Sequence, residues 1–563
     1  MGRVIGRLIR TKEEVAAPNG VVTAKQPPAA LAGLDVLERG GNAVDAAVVT
    51  QLCTGVLIPN ASGIGGGGYL VFHDAAAGQT HVVDYANESP AAALPERFPP
   101  HPDGGFGSTQ GWRRVRDDAN FRGWRSMCVP GVVAGLALAL DRWGTLTWAQ
   151  ALEPAIVMAE EGSALPAETA VAIVADWELL KSFPSSFATF TDRGRPLRAG
   201  ERVRYPALAR TLRRLAEVGP EDFYRGQIAR DVAADMEEHG GHITLDDWSS
   251  YHARGPQAPL ELEYRGVRLQ APRASCGAVT AFETLAILAG FDLSDLDPHG
   301  AQALHLLDVA NRLAFADRHL YVGDAAHVDV PWQGLISQPY AAQRRALIDP
   351  TRTPPRYDAG DPWPFEGRPQ PDVRYQRSHP WEVSGTQHLN VVDRHRNVVA
   401  LTDTNVGWSG VILPRAGFMM NNAMTWHDPQ PGRAASMRPH SRGLNNMAPT
   451  VMLRDGRPWG AVGARGGRHI TGTVARALSL VIDHSVSIQD AVSAPMIDSS
   501  HPQTRIESRI DPQTRAELEA LGHTLAVVEG RAGASAGGVV IDHAAGLIHA
   551  GEDPTGESLA AGY

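Results

Sequence analysis

Residues 384–405 read SGTQHLNVVDRHRNVVALTDTN, and the interpretation of the fold starts there. HLNVVD and VVALTDT alternate on either side of the polar turn Arg394–Asn397, which is the pattern of a β-hairpin. Upstream, eight prolines fall between Pro350 and Pro380, too many for a helix or a central strand. This segment is expected to be exposed and irregular, delivering the chain to Ser384-Gly385-Thr386-Gln387-His388 at the start of the hairpin. Taken alone, a threonine at a strand start is an ordinary β-branched sheet residue.

Working outward, PAALAGLDVLER (28–39) reads as a helix closed by Gly40-Gly41. Asn42 then caps a second helix, rich in alanine and valine, with Asp45 in its first turn and an end near Thr54. Side chains this small allow close packing between other layers. YLVFHD and THVVDY, joined around Ala75–Gln79, form a further hairpin. The run Gly63–Gly68 lacks the GK[ST] ending of a phosphate loop and precedes a strand, so it reads as tight turns. Residues 130–250 are mostly helical, and a long helix follows Gly300.

Composition narrows the function. The 563 residues are 43% hydrophobic and 20% charged, with a formal charge of −10, so chain-wide nucleic-acid or anionic-membrane binding is not expected. Lysines are confined to Lys12, Lys25 and Lys181, which argues against Schiff-base chemistry. Cys53, Cys128 and Cys276 offer neither zinc spacing nor a disulfide framework. The opening MGRVIGRLIRTKEE interrupts its apolar residues with arginines and has no signal-peptide core, so a cytoplasmic protein is expected.

A wider pattern changes the reading of the threonine. GVVTAKQPPAALAGLDVLERGGNAVDAAVVTQLCTGVLIPNASGIGGGGYLVF resembles the opening of the γ-glutamyltransferase (γ-glutamyltranspeptidase) family. VPGVVAGLALALDRWG, NRLAFADRHLYVGD, GLISQPYAAQRRALID, TQHLNVVDRHRNVVALTDTN, MNNAM, NNMAPTVML, GARGGRHITGTV and GESLAAGY follow in family order. The resemblance runs from about residue 20 to 563. It implies an N-terminal-nucleophile hydrolase with a four-layer αββα sandwich of mixed α/β class. It also implies a precursor that cuts itself at Gly385-Thr386 into a large subunit (1–385) and a small subunit (386–563), which remain together as one domain.

By the same resemblance Thr386 is the nucleophile and Thr404 the threonine whose hydroxyl supports it. Gly466 and Gly467 supply the oxyanion-hole amides. The chemistry is coherent: a hydroxyl needs an adjacent base, and a freed α-amine has a reference pKa of about 7.7–8.0. Gly385, lacking a Cβ, allows the close geometry that self-cleavage requires. Asn405 approximates a substrate-binding asparagine. His388 and His469 are given no catalytic role, and Asp393 and Asp403 form no metal-hydrolase pattern; no cofactor or metal is expected.

The sequence also departs from the family. Ala86, in Asp84-Tyr85-Ala86-Asn87-Glu88-Ser89-Pro90, stands where an arginine normally clamps the α-carboxylate of a γ-glutamyl group. Trp426 replaces the acidic partner of the α-amine, and Asn445-Asn446 replace a serine pair. Arg442, Arg465 and Arg468 are possible substitutes for the missing charge. The expected partners are a small-molecule acyl donor, other than a standard γ-glutamyl amide, and water or an amine as acceptor. Carbon–carbon bond cleavage, genuine glutathione hydrolysis and an unprocessed binding-only relative remain as alternatives.

Overall fold

The computed structural model describes residues 11–107, 110–371 and 385–563. The first ten residues of the opening stretch, most of the second half of the proline-rich segment and Ser384 lie outside them. Two seven-stranded antiparallel sheets face each other. In the first, strand order is Leu559–Gly562, Val21–Ala24, Gln387–Val392, Val398–Thr404, Gly67–Asp74, Gln79–Tyr85 and Arg254–Gln257. In the second it is Val15–Ala17, Leu547–Glu552, Ser535–Asp542, Arg457–Arg465, Thr450–Arg454, Val267–Ala271 and Leu260–Tyr264. Both sheets therefore take strands from either side of the Gly385-Thr386 bond.

Strand alternation explains the layering. Val392, Val398 and Ala400 point inward and meet Val451, Ala461, Val539 and Ile548 of the facing sheet. Their neighbours Leu389, Val391, Val399 and Leu401 point outward, against helices Pro27–Glu38, Ala43–Leu57 and Trp148–Glu161. The outer face of the second sheet is covered by helices Ala278–Leu288, Ala301–Tyr321 and Ile470–Asp483. The result is the αββα sandwich.

Ala43–Leu57 is buried along its whole length, as its small side chains suggest, and runs one turn beyond the expected end. Asn42 caps it by accepting from the backbone N–H groups of Val44 and Asp45. Buried Asp45 accepts four bonds: from Asn42 N (2.9 Å), Thr145 N (2.7 Å), Thr145 Oγ1 (2.7 Å) and Leu146 N (3.0 Å). Asp393 ties the same helix to the central hairpin, accepting from Ala43 N at 3.0 Å and from Asn397 Nδ2 at 2.8 Å.

The proline-rich segment requires a correction. It is irregular as expected, but its described half is not wholly exposed. Trp363 is buried, Gly360 N donates to Asp317, and Tyr321 donates to Gly360 O. The turn Trp363–Phe365 packs against helix Trp332–Ile336, with the Phe365 ring 5.9 Å from that of Tyr340, and burial of this aromatic surface holds the segment down. No helix among the described residues is long and apolar enough to cross a membrane. All three cysteines are free and buried.

Asp45→Ala should destabilise the fold by about 3 kcal/mol or more, because it strands several buried donors at once. Denaturant unfolding measures this, and a loss below about 1 kcal/mol would show that water replaces the carboxylate.

Candidate active site

The hairpin register places the candidate residues. Gln387 pairs with Asp403, so Thr386 precedes one strand while Thr404 ends its partner. Both threonines belong to the inward-facing set, at the open end of the sandwich. Thr386 is 5% exposed. In the continuous chain its Oγ1 donates to the Gly385 carbonyl at 2.6 Å, and Thr404 Oγ1 donates to the same carbonyl. Thr404 in turn accepts from Val406 N at 2.6 Å. Its hydroxyl thus meets the carbonyl of the uncut bond rather than the Thr386 hydroxyl. Lys25 donates to Thr386 O at 3.2 Å and is paired with Glu168 at 2.8 Å.

The backbone is strained just beyond Thr404. Val406 has φ 70° and Trp408 φ 92°, conformations that side-chain-bearing residues rarely adopt. Only glycine fits at 385, since a Cβ would lie 2.6 Å from Val406 O and 3.0 Å from Gly407 Cα.

On the facing sheet, strand Arg457–Arg465 runs into Gly466 (φ 139°) and Gly467 (φ 62°), and helix Ile470–Asp483 begins just beyond. Side chains are excluded by conformation and, at Gly466, by Ala534, whose Cα would lie 3.0 Å from a Cβ. Amides at such a start face outward without intrahelical partners, a setting suited to an anion.

These groups converge on two spaces. A narrow crevice is lined by Thr386, Thr404, Trp426, Asn446, Met447 and Gly467, among others. A cavity of about 640 Å³ is bordered by Lys25, Glu168, Thr386, Arg465, Gly466, His469 and Arg531. Asn405, Asn445 and Ala86 border neither. Asn405 donates to the carbonyls of Pro59 (2.8 Å) and Ser62 (2.9 Å), holding the turn that leads into the glycine-rich run, and lines a separate space with Gln51, Gly63 and Met419. Asn445 donates to Tyr69 Oη at 2.8 Å, and the Ala86 carbonyl accepts from Tyr251. Asn446 reaches the crevice while accepting from buried Arg318 at 3.0 Å.

The three arginines separate clearly. Arg442 is buried against Asp84 (2.8 Å) and donates to backbone carbonyls, so it is committed elsewhere. Arg468 lines a neighbouring cavity and donates to Ser500 O at 2.8 Å. Arg465 alone of the three borders the cavity that Thr386 lines, paired with Glu552 at 3.1 Å. Lys25–Glu168 and Arg531–Asp553 (both 2.8 Å) complete a rim of matched charges. The sequence reading missed these pairs, whose members lie far apart along the chain.

His388 lies between the sheets, its ring nitrogens 2.8 Å from Thr402 Oγ1 and 3.1 Å from Asn390 Oδ1, and packs where a Cβ on Gly463 would collide. Burial pushes its pKa down to about 3, so it is neutral. On the opposite face, below the threonines, Asp403 accepts from Ser62 Oγ at 3.1 Å. Burial pushes this carboxyl up to about 7, against hydrogen bonds from Gln51, Gln387, Ser62 and Gly63 N–H that favour its charged form.

Comparison with known proteins places this geometry. The gamma-glutamyltranspeptidase family model matches residues 29–563. The glutathione hydrolase proenzyme of Escherichia coli is 30% identical over 572 residues, covering 98% of this chain and 93% of its own. The acylase ACY 1 proenzyme of Pseudomonas sp. strain SE83 is 33% identical over 515 residues, covering 91% and 88%. The cephalosporin acylase of Bacillus halodurans superimposes with a TM-score of 0.87 at 27% identity, over 100% of this chain and 99% of its own. The chain belongs to the γ-glutamyltranspeptidase family and is an enzyme of its hydrolase and acyltransferase type.

Asp403 makes stability depend on pH. Its folded pKa lies above the unfolded value of about 3.9, so the stabilisation from binding that proton is complete below about pH 4. It is lost as pH rises through about 7. Between these limits the unfolding free energy of the native chain should fall relative to Asp403→Asn, by up to about 4 kcal/mol. Parallel pH profiles for the two proteins would show that this carboxyl is already ionised at low pH.

Proposed function

We propose that this chain is a self-processing acyl-transfer enzyme acting through Thr386, on a donor whose acyl part carries less charge than a γ-glutamyl group. The observation that supports it most directly is the Gly385 carbonyl, which receives both threonine hydroxyls. In the precursor, Thr386 Oγ attacks that carbonyl while Thr404 polarises it. The C–N bond breaks as the C–O bond forms, and the hydroxyl proton passes to the departing nitrogen, which becomes the Thr386 α-amine, a base with a reference pKa near working pH. Water then hydrolyses the Gly385 ester, releasing the Gly385 carboxylate and restoring the Thr386 hydroxyl.

In the processed enzyme, Thr386 Oγ attacks the donor carbonyl and passes its proton to the α-amine. Negative charge on the donor oxygen falls to the Gly466 and Gly467 amides, a contribution typically worth about 2.7–4 kcal/mol per donor. The amine returns the proton to the leaving group, and water or an amine then takes the acyl group from the threonyl ester.

The charge on the donor is argued from the walls. The position of the usual carboxylate clamp is Ala86, that of the acidic partner is Trp426, and Arg442 is committed to Asp84. Trp426, Met447, Val406 and Ile470 supply an uncharged apolar side to the crevice, alongside the threonine hydroxyls and the Asn446 amide. The cationic groups of the wider cavity already face carboxylates.

Thr386→Ala should remain a single full-length chain without activity, and Thr404→Val should mature about 10²-fold more slowly with a nearly unchanged melting temperature. Denaturing gels and intact mass follow both; two subunits from Thr386→Ala would refute the assignment. On a γ-glutamyl anilide, processed enzyme should show kcat/KM at least about 10²-fold below a typical family member assayed alongside, since two charged contacts at roughly 1.5–3 kcal/mol each are missing. Equal values would mean that Arg465 or another group has rebuilt the clamp.

A further inference from the structure

The strand that follows helix Ile470–Asp483 and a short second helix brings Asp498 back beside the start of the first. Three side chains meet there: His469, Asp498 and His501, whose donor atoms all lie within 4.8 Å of one another. His469 Nδ1 is 3.0 Å and His501 Nε2 3.9 Å from Asp498 Oδ2. We propose that these three residues bind a divalent transition-metal ion of the zinc type.

The donor set fits that chemistry. Two imidazoles and one carboxylate suit zinc and its neighbours, and disfavour calcium or magnesium, which take oxygen ligands. Ligands about 2.0–2.1 Å from a tetrahedral ion stand roughly 3.4 Å apart, and the observed 3.0 and 3.9 Å bracket that spacing. The surroundings hold the ligands in place. Ser500 donates its N–H and hydroxyl to Asp498, at 3.2 and 2.9 Å. Arg312 donates to the His501 carbonyl at 2.7 Å, and Arg468 to that of Ser500. Outer contacts of this kind commonly orient metal ligands. Arg312 is itself neutralised by Asp308 at 2.8 Å, which lowers the positive charge an incoming dication meets.

Position gives the ion a use. His469 borders the cavity that contains Thr386 and Gly466, whereas His501 borders the adjoining cavity of about 290 Å³. An ion among them sits in the partition between the two spaces. Three protein ligands leave a coordination position open, as in catalytic rather than structural zinc sites. That position would take a carboxylate or carbonyl oxygen of a small molecule, anchoring it beside the oxyanion glycines without an arginine clamp. Ion binding does not depend on the acyl-transfer reading and is tested apart from it.

The full chain, freed of metal by a chelator, is dialysed against ZnCl2 and, separately, CoCl2. The expected result is one tightly held Zn2+ per chain, a melting temperature that rises with zinc concentration, and visible Co2+ absorption of a four- or five-coordinate site. His501→Ala and Asp498→Asn should lose all three while remaining folded by circular dichroism. If either variant fails to fold, His501→Gln takes its place. Zinc binding retained by the folded variants, or absent from the native chain, overturns the proposal.

Discussion

The register of one hairpin governs everything described above. Gln387 opposite Asp403 brings Thr386 and Thr404 to one end on the inward face, and leaves Gln387 and Asp403 on the helical side. Because side chains alternate with a period of two, a slip of one residue would turn the threonines into the helices and the carboxyl into the sandwich. The register is guarded at both ends. Asp393 closes the turn and grips the start of the buried helix, while Ser62 and Gln51 hold Asp403 and Gln387 at the open end. Placement of Thr386 is therefore a property of the whole first sheet and the helices behind it.

This explains which features could be read from sequence. Alternation and capping identify the hairpin and the helix at 43–57, because both depend on neighbours in the chain. Gly385, Gly466 and Gly467 were legible only through the family resemblance; the structure supplies the physical reason, close approach or positive φ that excludes other residues. Asn405 was harder. Its type suggests recognition, yet the glycine-rich turn has carbonyls at Pro59 and Ser62 that need a donor, and only the folded path shows that Asn405 supplies it. The fate of Arg442 was similarly hidden until Asp84 came within 2.8 Å. His469, Asp498 and His501 follow no metal motif, because two secondary-structure elements separate the first from the others.

Charge is organised differently in the two walls of the site. The sheet that carries Thr386 contributes two hydroxyls and a carbonyl, with Lys25 paired to Glu168 at the rim and His388 held neutral between the sheets. The facing sheet contributes the glycine amides and the ion pairs of Arg465 and Arg531. In the proposed reaction, negative charge developing on the donor oxygen would meet donors fixed before reaction, an arrangement that lowers a barrier without reorganisation at the moment of transfer.

The same arrangement constrains recognition of the donor. A zwitterionic acyl group brings two charges into a partly enclosed space, and each loses hydration that only a dedicated partner restores. Here the cationic side chains Lys25, Arg465 and Arg531 already face carboxylates, so pairing such a group with one of them would require breaking a formed pair. A neutral or singly charged acyl group requires no such exchange, and Trp426 and Met447 reward its apolar atoms directly. Trp426 and Ala86 thus act in one direction: the first puts no charge in the crevice wall, and the second, which borders neither space, has no guanidinium to extend into it.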